Sequence, residues 1–325
     1  MSDIVVTCGD INGIGPEIAL KAIRSFSNES NHRFIFIAPR NIIEYYSFKD
    51  LNPEIVNSID LIKEKKFYIF DIGEAKFDLG EPTKQSGSVA YKALIQAIEY
   101  VDKNRNNSIL VTSPISKFAI KLAGIDMPGH TEILAVYFNT HNYCMMFLSD
   151  SWHAALATIH IPIAKVPGQI TTVGLEKLID VILTSTKNDL LLKEPRLALL
   201  GLNPHAGEEG KIGDEEEQIL KPLVRKYPDT VFGPFVPDAF FAQQLFNEYD
   251  VTIGMYHDQI LIPFKLLNGK IGVNYTAGLP IVRTSPDHGT AYNITGKNIA
   301  DAQSMINSIK WGLRILRNRN INNGN

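Results

Sequence analysis

The chain has 325 residues, of which 45% are apolar and 21% charged, with a net charge of -3. That length can bury a sizeable core in two domains or lobes, and no basic stripe stands out that would suit nucleic acid or an anionic membrane. The two cysteines, Cys8 and Cys144, make neither a disulfide framework nor a metal-type pair, so a reducing compartment is expected. No charged leader followed by an apolar stretch is present, nor any run long enough to span a bilayer, and the expected location is the cytoplasm.

In chain order, "DIVVT" (3–7), "RFIFIA" (33–38), "FYIF" (67–70) and "SILVTS" (108–113) are short β-branched or aromatic runs bounded by turn residues, the pattern of buried strands. Helix-period segments lie between them at 16–23 and 88–101, the first opened by Pro16, whose missing N–H is harmless in a first turn. "KEKK" (63–66) reads as a solvated turn. After a break at 127–129 come "YCMMFL", "HAALATIH", "RLALLG", "DVTIGM" and "KIGVNYT", interleaved with helices at 169–184 and 214–225. "LPIVR" reads as a strand ending at Arg283, a last helix is predicted near 297–316, and the polar tail "NRNINNGN" is expected to fray. This alternation predicts an α/β protein with helices on both faces of mostly parallel or mixed sheets. Crossings near 127–129 and 277–280 would give a discontinuous first lobe, 1–126 with 280–325, and a second lobe, 127–279. The loop "CGDINGIGPE" (8–17) carries glycines at 9, 13 and 15, so it lacks the G-x-G-x-x-G of a Rossmann dinucleotide site.

Eight histidines are present, and several share a position. "LATIHIP" places His160, "LLGLNPH" His205 and "TIGMYHDQ" His257 at or just after apolar strands. Ligands in open α/β sheets bind beyond the carboxyl ends of strands. Three imidazoles from three strand ends are therefore a candidate metal site with open positions for substrate or water. Each taken alone reads more often as a hydrogen-bonded structural residue; the case rests on their shared position. His153 alternates with the apolar residues of its strand and reads as packing or surface, while His32 and His141 lie in polar loops. For an anionic group the candidates are Lys265 and Arg283, which follow apolar runs, together with Asn274, and His130 and Thr131 at a helix start.

"GDINGIGPEI", "PGHTEILA", "GLNPHAGEEGKIGDEE", "MYHDQILIPFK", "GVNYTAGLPIVRTSPDHGTA" and "TGKNIAD" run from residue 9 to residue 301. In that order they resemble the 4-hydroxythreonine-4-phosphate dehydrogenases and, more distantly, isocitrate and isopropylmalate dehydrogenases. The resemblance implies a two-lobed α/β/α subunit of the isocitrate/isopropylmalate dehydrogenase type, not a Rossmann fold, with a cleft between lobes, working as a homodimer. It implies that His160, His205 and His257 ligate a divalent metal shared between two subunits. His130, Thr131, Lys265, Asn274 and Arg283 would bind substrate, and the loop with His288, Gly289, Thr290 and Asn293 would hold the cofactor, NAD with NADP as the alternative. The first loop departs from the family's usual "PGDPAGIGPE": Cys8 stands for a proline and Ile11-Asn12 for proline-alanine. Cys8 is a metal or redox candidate on paper, but it reads as a small buried thiol.

The implied reaction oxidises the secondary alcohol of 4-phosphohydroxy-L-threonine to a β-keto acid, which decarboxylates to 3-amino-2-oxopropyl phosphate in pyridoxal phosphate biosynthesis. Imidazole ligation suits zinc, cobalt or nickel better than calcium, with magnesium or manganese admitted by oxygen ligands from substrate. Asp238, Asp258 and Lys265 are candidates for the base, and Asp258 alternatively orients an imidazole. Other readings are a dehydrogenase of threonate or erythronate phosphate or of a cis-dihydrodiol, a phosphate acyltransferase on the same fold, and a metal-dependent binding protein without turnover.

Overall fold

A computed structural model describes the chain except for residues 27–31, 64, 128, 323 and 325. Glu64 of the "KEKK" run, Pro128 of the 127–129 break and Asn323 and Asn325 of the tail therefore lie outside the described residues. Contacts divide the chain into two units, residues 1–139 with 279–325, and residues 140–278.

The first unit opens with β1 (Asp3–Thr7), α1 (Gly15–Phe26), β2 (Arg33–Ala38), α2 (Ile42–Tyr45), β3 (Glu54–Val56) and β4 (Phe67–Asp71). It continues with α3 (Lys84–Lys103), β5 (Ser108–Thr112), α4 (Lys117–Leu122) and α5 (His130–Tyr137). The second unit contains β6 (Cys144–Leu148), β7 (His153–Leu156), α6 (Val166–Gln169), α7 (Thr172–Asp189), β8 (Leu197–Leu200) and α8 (Lys221–Lys226). Its remaining elements are β9 (Val231–Phe235), α9 (Pro237–Ala242), β10 (Val251–Gly254), α10 (His257–Asn268) and β11 (Val273–Ala277). The chain then rejoins the first unit with β12 (Val282–Pro286) and α11 (Gln303–Asn322).

In the first unit the strand order is β3-β4-β2-β1-β5-β12, and every pair is parallel. Such strands bury both faces, which is why β1 and β5 are buried at every position and read as unbroken apolar runs. In the second unit the order is β11-β6-β7-β10-β8-β9, with antiparallel pairs from β11 to β7 and parallel pairs from β7 to β9. Its core gathers Phe147, Trp152, Phe240, Phe246 and Phe264, and the Trp152 indole N–H donates to Thr252 Oγ1 at 2.9 Å. The α/β alternation expected from the sequence is present.

Several boundaries differ from expectation for local reasons. The α3 helix starts at Lys84 because Thr83 and Ser86 form a reciprocal capping box, with serine where the usual pattern has Glu or Gln. The predicted 214–225 helix opens as a wide π-turn, Glu216–Leu220, before α8. Arg283 is the second residue of β12 rather than its last, because the polar residues after it still pair or bond: Thr284 lies opposite Val111 and donates to the Ser308 carbonyl of α11 at 2.8 Å. The tail is helical to Asn322, since Asn318 is buried and Asn320 donates to the Asn106 carbonyl at 2.9 Å. The segment carrying α5 groups with the first unit, not with the second as the sequence boundaries had it. Arg105, just beyond α3, stacks over the Phe138 ring at the end of α5.

The amino-terminal ends of β1 and β2, in the middle of the first sheet, are anchored by a buried acid. Asp3 accepts from Arg33 Nε at 2.8 Å, from Arg33 Nη2 at 2.7 Å and from the Tyr100 hydroxyl at 2.6 Å. Replacing Asp3 by Ala removes the acceptor shared by Arg33 and Tyr100 and should lower unfolding free energy by about 3 kcal/mol, measured by urea denaturation.

Candidate functional site

In the first unit β1 neighbours β2 on one side and β5 on the other, so the chain reverses direction across the sheet at β1. The loops leaving the carboxyl ends of β1, β5 and β12 meet there. The Asp10 N–H donates to the Pro114 carbonyl and the Ile14 N–H to the Thr290 carbonyl, both at 2.9 Å. Gly13 has no room for a side chain, because a Cβ there would lie 2.9 Å from Thr290 Cβ. The buried Asp10 carboxylate accepts from Tyr292 OH at 2.8 Å and from Ser86 Oγ at 3.1 Å, and burial raises its pKa against those bonds. Thus the 288–293 segment, the expected cofactor loop, is docked on the first glycine loop, and His288 Nε2 within it is buried without a hydrogen-bond partner.

The atypical first loop has an internal logic. Asn12 is fully buried and clamps the following segment: its side-chain N–H donates to the Glu81 carbonyl at 2.9 Å, and its Oδ1 accepts from Asp78 N at 3.0 Å. Cys8 is fully buried, and burial drives its thiol far above the ordinary range, in keeping with a small core thiol.

His130 is the first residue of α5, as expected, and Thr131 beside it is buried. Burial, reinforced by the Arg283 charge, holds the His130 imidazole well below its ordinary pKa, and its Nε2 is shielded from water with no partner. Arg283, 3% exposed, donates from Nη2 to Thr112 Oγ1 at 2.7 Å. Burial lowers its pKa to about 10, which leaves it a cation at neutral pH, partly supported by Glu132. A neutral imidazole beside a buried guanidinium has the chemistry to receive an anion: one can supply a directed N–H, the other charge.

In the second unit the parallel run β7-β10-β8 places β10 in the middle. His160 follows β7, His257 begins the helix after β10, and His205 follows β8. The His160 and His257 rings are brought together, with centroids 5.8 Å apart, beside an open cleft that both line. The Asp258 carboxylate lies 2.6 Å from His257 Nδ1, fixing the ring so that Nε2 is the nitrogen left for a ligand. His205 is not part of this cluster, and among the described residues no three His, Cys, Asp or Glu groups form a metal-sized set within one chain. The donor chemistry of the pair fits a borderline metal ion, two nitrogen ligands with one ring braced by a carboxylate.

His205 sits in unusual backbone. His205, Ala206, Gly207, Glu208 and Glu209 all have positive φ, between 42° and 79°, a left-handed turn of five residues. Four of them carry a Cβ, for which this conformation costs about 1–2 kcal/mol each. The buried Glu216 carboxylate offsets it by accepting from Leu202 N at 2.7 Å, Asn203 N at 2.8 Å and Asn203 Nδ2 at 2.8 Å. Gly207 must be glycine, since a Cβ would lie 2.7 Å from Glu216 Oε2. The support that Glu216 and Asn203 give this turn escaped sequence reasoning, because they lie 13 positions apart and no spacing announces the pair. Lys265 is exposed on α10, Asp238 is exposed on α9, and Asn274 lies in β11 with a buried Oδ1 that has no partner.

The family described as "Pyridoxal phosphate biosynthetic protein PdxA" matches residues 29–312. The chain belongs to this family. It is 34% identical to the 4-hydroxythreonine-4-phosphate dehydrogenase of Sulfurihydrogenibium sp. (strain YO3AOP1), over 98% of this chain and 100% of that one. It is 36% identical to the D-threonate 4-phosphate dehydrogenase of Salmonella typhimurium, over 96% of this chain and 98% of the relative. The solved 4-hydroxythreonine-4-phosphate dehydrogenase of Klebsiella pneumoniae superposes with a TM-score of 0.82 at 32% identity, covering 97% and 100% of the two chains. An isocitrate dehydrogenase from Methylococcus capsulatus, TM-score 0.54 at 15% identity and covering 98% and 87% of the two chains, shares the fold. PdxA-family relatives are dehydrogenases, and the chain is an oxidoreductase of this family.

The environment of His130 gives a pH test. The unfolded chain binds this proton more readily than the folded one, so stability falls as pH drops below about 6.5 toward the lower folded value. The slope attributable to His130 reaches at most about 1.4 kcal/mol per pH unit. In His130→Asn, urea denaturation between neutral and mildly acidic pH should show that component gone, leaving the contribution of His32, whose pKa is also lowered by burial.

Proposed function

We propose that the chain oxidises 4-phosphohydroxy-L-threonine in pyridoxal phosphate biosynthesis, transferring hydride to NAD with a divalent cation bound by His160, His205 and His257. The observation that carries this reading is the delivery of these three imidazoles by three adjacent parallel strands, in a chain related end to end to 4-hydroxythreonine-4-phosphate dehydrogenases. Two of the imidazoles meet within one chain, and completion by a second subunit accounts for the third. Exposed Ile262, Leu266 and Leu267 on α10 give that unit an apolar face suited to a copy of itself.

The chain's own groups divide the work. The buried Arg283 and neutral His130 bind the anionic end of the substrate, with Lys265 and Asn274 as further contacts. Asp258 orients His257 rather than serving as base, since it is already committed to the ring nitrogen. Of the other base candidates, Lys265 keeps a substrate contact and Asp238 stands as the free carboxylate. The loop with His288, Gly289, Thr290 and Asn293 holds the cofactor, its position set by the Asp10–Tyr292 bond. A cation held by His160, His205 and His257 would supply Lewis acidity at the substrate hydroxyl, Asp238 would take the hydroxyl proton, and NAD held by the 288–293 loop would accept the hydride, giving a β-keto acid that would lose carbon dioxide to leave 3-amino-2-oxopropyl phosphate. Imidazole donors favour zinc or cobalt over magnesium or manganese. The similarity to a D-threonate 4-phosphate dehydrogenase makes that substrate the second reading.

NADH formation with NAD, divalent metal and 4-phosphohydroxy-L-threonine, compared with D-threonate 4-phosphate, decides between them; no turnover of either defeats both. His205→Ala should lose metal and turnover while circular dichroism shows an intact fold, and undiminished metal-dependent turnover in that variant removes His205 from the site. Arg283→Ala should raise KM about 10–100-fold, the worth of a charged hydrogen bond, with a smaller change in kcat.

A further inference from the structure

We infer that Gln259 is a positioning residue that ties together the strand ends bearing His205 and His257, and so fixes where each of these proposed metal ligands leaves the sheet; this rests on the metal reading above. Gln259 is 8% exposed and lies two residues after His257 in the first turn of α10. Both ends of its amide are used. Its Oε1 accepts from the Met255 N–H at 2.6 Å, just beyond the end of β10, and its Nε2 donates to the Gly201 carbonyl at 2.7 Å, just beyond the end of β8.

The two bonds have different consequences. Beyond the last ladder pair, β8 and β10 no longer hydrogen-bond to each other, and each chain turns away to carry its histidine. The Gln259 amide spans that gap and acts as one more rung between strands that have already parted. Gly201 leads directly into Leu202 and Asn203, whose N–H groups are fixed by Glu216 and which open the left-handed turn at His205. On the other side Thr158 Oγ1 donates to the Met255 carbonyl at 2.7 Å, joining the end of β7, ahead of His160, to the same residue. Met255 is thus held by its carbonyl toward the His160 strand and by its N–H toward Gln259. The three strand ends form one hydrogen-bonded series, Thr158–Met255–Gln259–Gly201, to which Glu216 adds the turn.

Gln is suited to this place because it both donates and accepts. Glu keeps the acceptor for Met255 but sets a second acceptor against the Gly201 carbonyl, and Met keeps the length while removing both bonds. A side chain that only filled space would tolerate Met.

The test uses the full chain. Zinc dissociation constants are measured by competition with a chromophoric chelator for wild type, Gln259→Met and Gln259→Glu, at a temperature where circular dichroism shows each folded. Zinc binding should weaken about 10–100-fold in Gln259→Met, the usual effect of losing a group that orients metal ligands, and by a smaller factor in Gln259→Glu. Hydrogen exchange without metal should show faster exchange at the Leu202 and Asn203 amides, which bond to Glu216 and not to Gln259. Wild-type zinc affinity in folded Gln259→Met overturns the ligand-setting role, and unchanged exchange at those two amides overturns the strap. Failure of the wild-type chain to bind zinc, cobalt or manganese overturns the metal reading and the ligand-setting role with it, while the exchange measurement still decides the strap. If Gln259→Met does not fold, Gln259→Glu serves for both measurements.

Discussion

A strand that leaves a parallel sheet carries backbone donors and acceptors out of the ladder, and when it leaves into buried surroundings those groups need new partners. In the second unit the partners are side chains. Glu216, Gln259 and Thr158 take up the amides and carbonyls beyond β8 and β10, Thr158 from its place just after β7. The same bonds that satisfy the backbone fix where His160, His205 and His257 emerge. Satisfying buried peptide groups and aiming imidazoles are one requirement here, and removing a single side chain disturbs both.

The first unit meets the requirement differently. Its strand ends turn into loops that satisfy one another through main-chain bonds, as between Asp10 and Pro114 or Ile14 and Thr290. The buried Asp10 and Asn12 side chains then lock the loop surfaces to Tyr292 and to the 78–83 segment. Asn12 acts as the clamp on that segment, its amide used at both ends. The electrostatics are also different. Arg283 remains a cation despite burial, and its charge helps keep His130 neutral, so the pair presents one charge and one directed donor rather than two mutually repelling cations.

Much of this was legible in the sequence, in identifiable places. The unbroken apolar runs of β1, β5 and β8 announced strands covered on both faces. The common position of His160, His205 and His257 after such runs marked the candidate site before any spacing rule applied. The boundaries were less legible where polar atoms decide them. A serine completes the α3 cap, polar residues continue β12 beyond Arg283, and asparagines hold the end of α11. The short edge strands β3 and β9 escaped notice because three residues at one edge, and a Gly-Pro step at the other, carry little strand signal.

The sequence by itself determined the α/β class, the strands that end in histidines and the likeness to a family of dehydrogenases, because these depend on periodicity and on local runs of residues. The tertiary structure alone decided that β10 lies between β7 and β8, that His160 and His257 approach while His205 rides a left-handed turn, and that Glu216 and Gln259 hold that turn in place. Those outcomes depend on hydrogen bonds between residues from 13 to 97 positions apart. No local pattern encodes which buried carbonyl or amide a glutamate or glutamine will meet once the strands have been laid side by side.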